Sequence, residues 1–527
     1  MVRPYVKRIE KRRERVILGK SLTRSAKLYP DKISLIFEGR NWTYRHLNSR
    51  VNRLANGFAS LGLGKGDKVA MLARNGNEYI ETYYALAKLG IWMVPINYRL
   101  QLAEIALRLI HSDSQAILLG AEYVERFLDL NPEAKKNIGD RILVLGDSAP
   151  PHGLPSYETL LAKSQDREPD VLIEPEDPLY IGYTAGTTGR SKGAVITNRA
   201  ILTGFLYKTL DYGFNKNDIT LNPGPFWHSA PRDFACLHLY LGGTAVIMKE
   251  FRPEEYLATV EKYKVTNGFL VPTMYKMITD LPGNIRYEIS SLRILLSGGS
   301  PLPTPVKESC IRRFGPILHE FYAATETRIM TNISPEEMQK KVRAVGRPIW
   351  DVEIRILDED GKDLPIGEVG EIFVRGPSLF SGYYKDEKKT QECFRNGWFT
   401  LGDMGRFDDE GYLYIVDRKQ DMVISGGENI YPSEIEDVLL AYPKVAEAAV
   451  IGIPHEKWGE ALKAFLVLKP GEKATEEEIL KFCATRLADY LKPKTVEFVS
   501  ELPRSPVGKV LKRILRERYW EESEFKV

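Results

Sequence analysis

Short apolar runs recur between residues 67 and 299, and they restrict the fold more than any other feature. "DKVAMLA", "IWMVPI", "QAILLG", "RILVLGD", "TAVIMKE", "NGFLVPT" and "RILLSGG" are β-prone and strand-length. Between them lie stretches with helical periodicity. In residues 43–62, "TYRHLNSRVNRLANGFASLG", the side chains of Leu47, Val51, Leu54, Ala55, Phe58 and Leu61 fall on one face, with Gly62 as the expected C-cap. "NEYIETYYALAKLG" reads as a second helix. Strands alternating with helices imply an α/β fold with largely parallel sheets.

The pattern changes near residue 350. "DVEIRILDEDGKDLPIGEVGEIFVRG" alternates apolar and polar residues around Gly, Asp and Pro turns, which predicts antiparallel strands and a small barrel-like subdomain over about 350–417. Beyond it the chain reads as a compact α+β tail. There "TEEEILKFCATRL" opens with a capping box, Thr475 to Glu478, and places Ile479, Phe482 and Leu487 on one face. The expected division is a large N-terminal domain, 1–417, and a small C-terminal domain, 418–527.

Charge and cysteine use narrow the function classes. A net charge of +3 does not suggest a nucleic-acid binder, and residues 1–20 hold eight Lys/Arg against two Glu. That basic terminus reads as a solvated segment, with peripheral contact to an acidic membrane surface as the alternative; homodimer formation stays open. No apolar run reaches the roughly 18 residues that a membrane span needs. Cys236, Cys310, Cys393 and Cys483 are isolated and form neither a C-x-x-C pair nor a zinc pattern. They read as reduced thiols of a cytoplasmic protein.

The apolar run "DPLYIGYT" leads into "YTAGTTGRSKGA", residues 183–194. Gly186, Gly189 and Gly193 free the backbone to present N–H groups. Thr184, Thr187, Thr188 and Ser191 add hydroxyl donors, and Lys192 adds a positive charge. Such a loop forms an anion-binding concavity suited to phosphates. The spacing is neither that of a Walker A loop nor G-x-G-x-x-G.

This stretch resembles the phosphate loop of the AMP-forming adenylating enzymes: acyl- and aryl-CoA synthetases, peptide-synthetase adenylation domains and luciferase. It departs from Y-T-S-G-T-T-G-x-P-K-G at Ala185 and Ser191. The resemblance runs from about residue 30 to 515, with further motifs in the family's order. Within "FYAATET" it implies that Tyr322 stacks on adenine, Thr325 contacts the α-phosphate and Glu326 helps to hold Mg²⁺. "LSGGSPLP" supplies Ser297, Gly298 and Gly299 beside the adenine and acyl sites. "WFTLGDMG" gives Asp403 for the ribose hydroxyls. "VDRKQDMVISGGENIYPSEIE" gives Arg418 on the ribose and a pantetheine path past Gly426 and Gly427. "LPRSPVGKVLKR" gives Lys509, the catalytic lysine of a mobile C-terminal domain. Gln420 stands where the family usually has Asp or Lys at the hinge. Taken singly, Asp403 reads as a turn residue, Glu326 as a first-turn carboxylate and Lys509 as a surface lysine. Their joint order carries the resemblance.

The implied activity is ATP-dependent ligation of a carboxylic acid to CoA through an acyl-adenylate, with ATP, Mg²⁺ and CoA as cofactor and co-substrates. The expected acid is a medium- or long-chain fatty acid. An aromatic, cyclic or steroid-type acid is the alternative, as is loading of a carrier protein. Ala323 stands where acetyl-CoA synthetases carry Trp, which implies a pocket open beyond acetate. In "GPFWHSAPRDFACL", His228 matches the acyl-pocket histidine and counts with the catalytic groups. Arg232 and Asp233 follow it in place of an apolar stretch, and Arg232 is expected in the pocket with Gly298 and Ala323.

Overall fold

The computed structural model describes residues 16–146, 148–184, 191–283, 286–504 and 510–520. The chain divides into two compact units. One runs to Val352 and adds Arg375–Glu392; the other takes Glu353–Val374 and the chain from Cys393 onward.

The first unit is α/β, built on a six-stranded and a nine-stranded sheet among the described residues. The apolar runs form the strands. Lys68–Leu72, Trp92–Pro95, Ala116–Gly120 and Ile142–Leu145 pair in parallel in the smaller sheet. Asn267–Leu270, Ile294–Ser297 and Leu318–Ala324 do so in the larger. Strands such as Ala116–Gly120 and Ile294–Ser297 are buried at every position, as expected for sheets covered on both faces. Each sheet also has antiparallel pairs. Pro178–Thr184 turns back into Lys192–Thr197, and Leu318–Ala324 into Arg328–Ile333.

The first predicted helix spans Tyr44–Ser60, with Thr43 outside it as the N-cap accepting from the His46 N–H at 3.2 Å. Such a cap is worth about 1 kcal/mol. Leu47, Val51, Leu54, Ala55 and Phe58 are buried as the periodicity implied. Leu61 leaves the helix as its C-cap, and Gly62 follows at φ +78°. The positive φ thus falls one residue beyond the cap, where glycine is favoured.

In the second unit, Trp398–Phe407 pairs antiparallel with Gly370–Arg375, Phe394–Arg395 and Leu413–Arg418. A further sheet is built on the long pair Val445–His455 and Gly459–Leu468. The capping box at Thr475 and Glu478 is present, and Ile479 and Cys483 are buried. That helix ends at Ala484, so Leu487 reaches the same core from the turn after it. Among the described residues no helix is long and apolar enough to cross a membrane. All four cysteines are free thiols, three of them buried.

Candidate active site

In the first unit, strand Pro178–Thr184 leads into the loop read as phosphate-binding, and the antiparallel return strand Lys192–Thr197 begins just after Ser191, with Thr184 opposite Lys192. Gly186, Thr187, Thr188 and Gly189, with Ala185, lie outside the described residues, as does Lys509.

The loop's first flank meets the "FYAATET" segment. The Thr184 hydroxyl donates to Glu326 Oε1 at 3.3 Å, although the two residues are 142 positions apart. The Tyr383 hydroxyl donates to the same oxygen at 2.9 Å. Glu326 is buried, and both bonds fall on one oxygen. The Lys192 ammonium stands 5.3 Å from the centre of the Tyr383 ring. Thr325 approaches the strand so closely that a Cβ at Gly182 would lie 2.8 Å from its Cγ2, which explains glycine there.

Tyr322 and Ala323 lie on Leu318–Ala324, where the register slips between them. Such a bulge re-aims side chains at a strand end. Thr327 accepts from the Ala324 N–H at 3.2 Å and holds the following turn. Ser297 closes its parallel strand with its hydroxyl buried and without a hydrogen-bond partner. At Gly298 a Cβ would strike the Phe321 ring at 2.5 Å, and Gly299 adopts φ +90°. His228 is the N-cap residue of helix Ser229–Leu241, its ring against Trp227 with centroids 3.9 Å apart. Arg232, one turn into that helix, is wholly buried.

In the second unit Asp403 and Arg418 are direct cross-strand partners, Arg418 Nε lying 3.3 Å from Asp403 Oδ1. Gln420 sits in a short 3₁₀ turn, and Arg516 donates to its carbonyl at 2.8 Å. Gly426 and Gly427 form the two-residue turn between Val423–Ser425 and Glu428–Ile430, at φ +62° and +88°. Two consecutive positive φ values make this the hairpin turn that strand twist favours. At Gly426 a Cβ would also meet the Trp458 ring at 2.9 Å.

Two residues without a motif signal also contact the candidate site residues. Tyr383 lies in "FSGYYKDEKK", which carries no chemical pattern. Arg108 lies on helix Leu102–Ser112 and donates to the Ser191 hydroxyl at 2.7 Å. Nothing local in the sequence marks either residue.

The AMP-binding enzyme family model matches residues 22–384, and the C-terminal domain model of AMP-binding enzymes matches 434–509. The chain belongs to the AMP-binding enzyme family. It is an enzyme of the AMP-forming acid–thiol ligase class. It is 35% identical to a feruloyl-CoA synthase of an Amycolatopsis species, over 95% of this chain and 99% of that protein. It is also 35% identical to a long-chain-fatty-acid–CoA ligase of Mycobacterium tuberculosis, over 90% of this chain and 93% of that one. Among solved structures it is similar to an o-succinylbenzoate CoA synthetase of Bacillus subtilis in complex with an acyl-adenylate. The TM-score is 0.84 at 30% identity, covering 94% of this chain and 97% of that one.

Proposed function

We propose that this member of the family activates a carboxylic acid in two steps. Carboxylate and ATP give acyl-AMP and pyrophosphate; acyl-AMP and CoA then give acyl-CoA and AMP. The observation that carries this reading is the junction of Thr184 with Glu326. It brings the strand end that leads into the loop beside a buried carboxylate, which could hold the cation that a reaction between two anions needs.

In the first step a carboxylate must approach a triphosphate, so charge neutralisation and positioning lower the barrier most. The loop residues 184–192, with Lys192, would hold the β- and γ-phosphates. Thr325 would contact the α-phosphate, and Tyr322 would stack on adenine beside Ser297, Gly298 and Gly299. Asp403 would accept from the ribose hydroxyls while Arg418 steadies its carboxylate. Lys509 would lie between the incoming carboxylate and the α-phosphate, a role that suits a point charge on a flexible stem. His228 and Ala323 would border the acid.

Glu326 fits a divalent cation. It is a hard oxygen donor, and its two hydrogen bonds to Thr184 and Tyr383 both fall on Oε1, leaving Oε2 for the metal. Bound Mg²⁺ would neutralise phosphate charge there. In the second step residues 418–527 would move as a domain and withdraw Lys509, and the pantetheine arm would pass Gly426 and Gly427.

The acid was expected to be a medium- or long-chain fatty acid. Feruloyl and fatty-acyl relatives are equally similar to this chain, so an aromatic acid has equal support. The test is mass spectrometry of the enzyme with ATP, Mg²⁺, CoA and a panel running from acetate through octanoate and palmitate to benzoate, phenylacetate and cholate. AMP with the matching thioester is expected. ADP, or no nucleotide product with any acid, would overturn the reading.

A further inference from the structure

Helix Ser229–Leu241 places Arg232 and Asp233 where solvent does not reach. A buried charge needs a partner and a full set of hydrogen bonds. The Arg232 guanidinium packs on two rings, 4.2 Å from the Tyr180 centroid and 4.6 Å from that of Tyr83. Its Nη1 makes one long bond, 3.5 Å, to the Phe226 carbonyl. Its Nε stands 3.5 Å from Asp233 Oδ1, close enough for attraction. Yet Arg232 Nε, Arg232 Nη2 and Asp233 Oδ1 are all buried without a hydrogen-bond partner.

The other Asp233 oxygen accepts from Arg328 Nη2, and Arg328 Nη1 donates to the Tyr180 hydroxyl at 3.0 Å. Arg328 Nε is also buried and unpaired, on a residue held at φ +64°. Folded interiors leave few such groups, and several at one spot call for a specific explanation. Among these charged groups, three donors and one acceptor are unmet.

That set defines what would complete it. A carboxylate only accepts and would face Asp233 Oδ1. An ammonium only donates and would face two guanidinium groups. A hydroxyl does both: it can donate to Asp233 and accept from Arg232. The nearby Lys208 adds less than a full positive charge, because burial pulls its ammonium down to about 7.

The cluster adjoins the segment assigned to the acid. His228 begins the helix that carries Arg232. Arg328 pairs with Ala324 across the strand pair that contains Ala323. Tyr180, beneath Arg232, lies two residues before Gly182, which packs on Thr325.

We infer that the acid taken by this enzyme carries a hydroxyl remote from its carboxylate, and that Arg232 and Asp233 recognise that hydroxyl. The inference rests on the proposed acid–CoA ligation. A site built around a hydroxyl rejects the analogue that lacks it, because its own polar groups are then left unpaired.

The test compares matched acids on the full chain with ATP, Mg²⁺ and CoA: 4-hydroxyphenylacetate against phenylacetate, and 8-hydroxyoctanoate against octanoate. The two pairs separate a phenol from an alcohol. Adipate and suberate present a second carboxylate. A preference of at least about 100-fold in kcat/KM is expected for the hydroxylated member of one pair. Arg232→Met should bring that ratio toward one. Should the variant not fold, the wild-type ratios decide by themselves. Turnover of both members of each pair within about threefold would overturn the inference and leave the ligase reading standing; an internal water would then complete the cluster. Preference for a dicarboxylate over both hydroxylated acids would also overturn it. Absence of AMP with every acid would remove the ligase reading, and this inference with it.

Discussion

Arg108 and Ser191 lie 83 positions apart, and the Arg108 guanidinium donates to the Ser191 hydroxyl at 2.7 Å. The same guanidinium stacks on Tyr183, 5.6 Å from the ring centroid. One arginine therefore touches both flanks of the candidate phosphate loop. Ser191 stands where the family's loop has Pro, whose ring fixes φ. Here a side-chain tie replaces part of that rigidity. Arg108→Met should lower kcat/KM for ATP by at least about tenfold, the value of one hydrogen bond to a charged donor. Adding Ser191→Pro should recover much of the loss. A double variant no better than the single one would show that Arg108 acts elsewhere.

Tyr383→Phe removes one of the two hydrogen bonds on Glu326 Oε1 and leaves the ring in place. The carboxylate should then be less well oriented. The Mg²⁺ concentration for half-maximal pyrophosphate exchange should rise about threefold to tenfold. An unchanged Mg²⁺ titration would detach Glu326 from the metal role.

Lys509→Ala separates the half-reactions. Adenylate formation should fall at least about 100-fold, the usual loss when a transition-state charge partner goes. Thioester formation from supplied acyl-adenylate should persist. Equal loss of both half-reactions would contradict the placement of this lysine.

Ala323→Trp should shift the chain-length profile toward short acids by filling the space beside Tyr322. The readout is relative kcat/KM for acetate, hexanoate and octanoate. An unchanged profile would place the acid away from Ala323.

Lys208 gives a pH signature. Burial lowers its pKa to about 7, with the nearby Arg328 adding to the effect and Asp233 opposing it. The folded value lies below the unfolded 10.5, so the unfolded chain binds more protons between these limits. Stability should therefore rise with pH from about 7 toward 10. Lys208→Met should flatten that rise and raise the melting temperature near pH 7, as followed by thermal melts at constant ionic strength. Parallel pH curves for the two proteins would rule out this lysine as the source.

The strands and their burial were readable because apolar runs without alternation can only be covered on both faces. The Thr475–Glu478 capping box was readable because caps depend on neighbours three residues away, whereas the role of Thr43 as an N-cap emerged only in the structure. Asp403 and Arg418 entered the reading through ordered motifs, and sheet register then set them opposite each other. Local pattern did not yield the exact helix ends, such as Leu61 outside and Gly62 beyond it. One residue in a cap is decided by the turn that packs next.

By itself the sequence determined the layered α/β framework, the antiparallel region after 350, the motif order and the reaction class. Periodicity states which face of an element is buried, and motif chemistry states which groups a phosphate needs. Only the tertiary structure decided that Tyr383 and Thr184 share one oxygen of Glu326, that Arg108 ties Ser191, and that Arg232 and Asp233 are buried with bonds unmade. The hydrogen bonds among them join residues between 57 and 142 positions apart. They depend on strand register and helix packing, which no local stretch of sequence encodes.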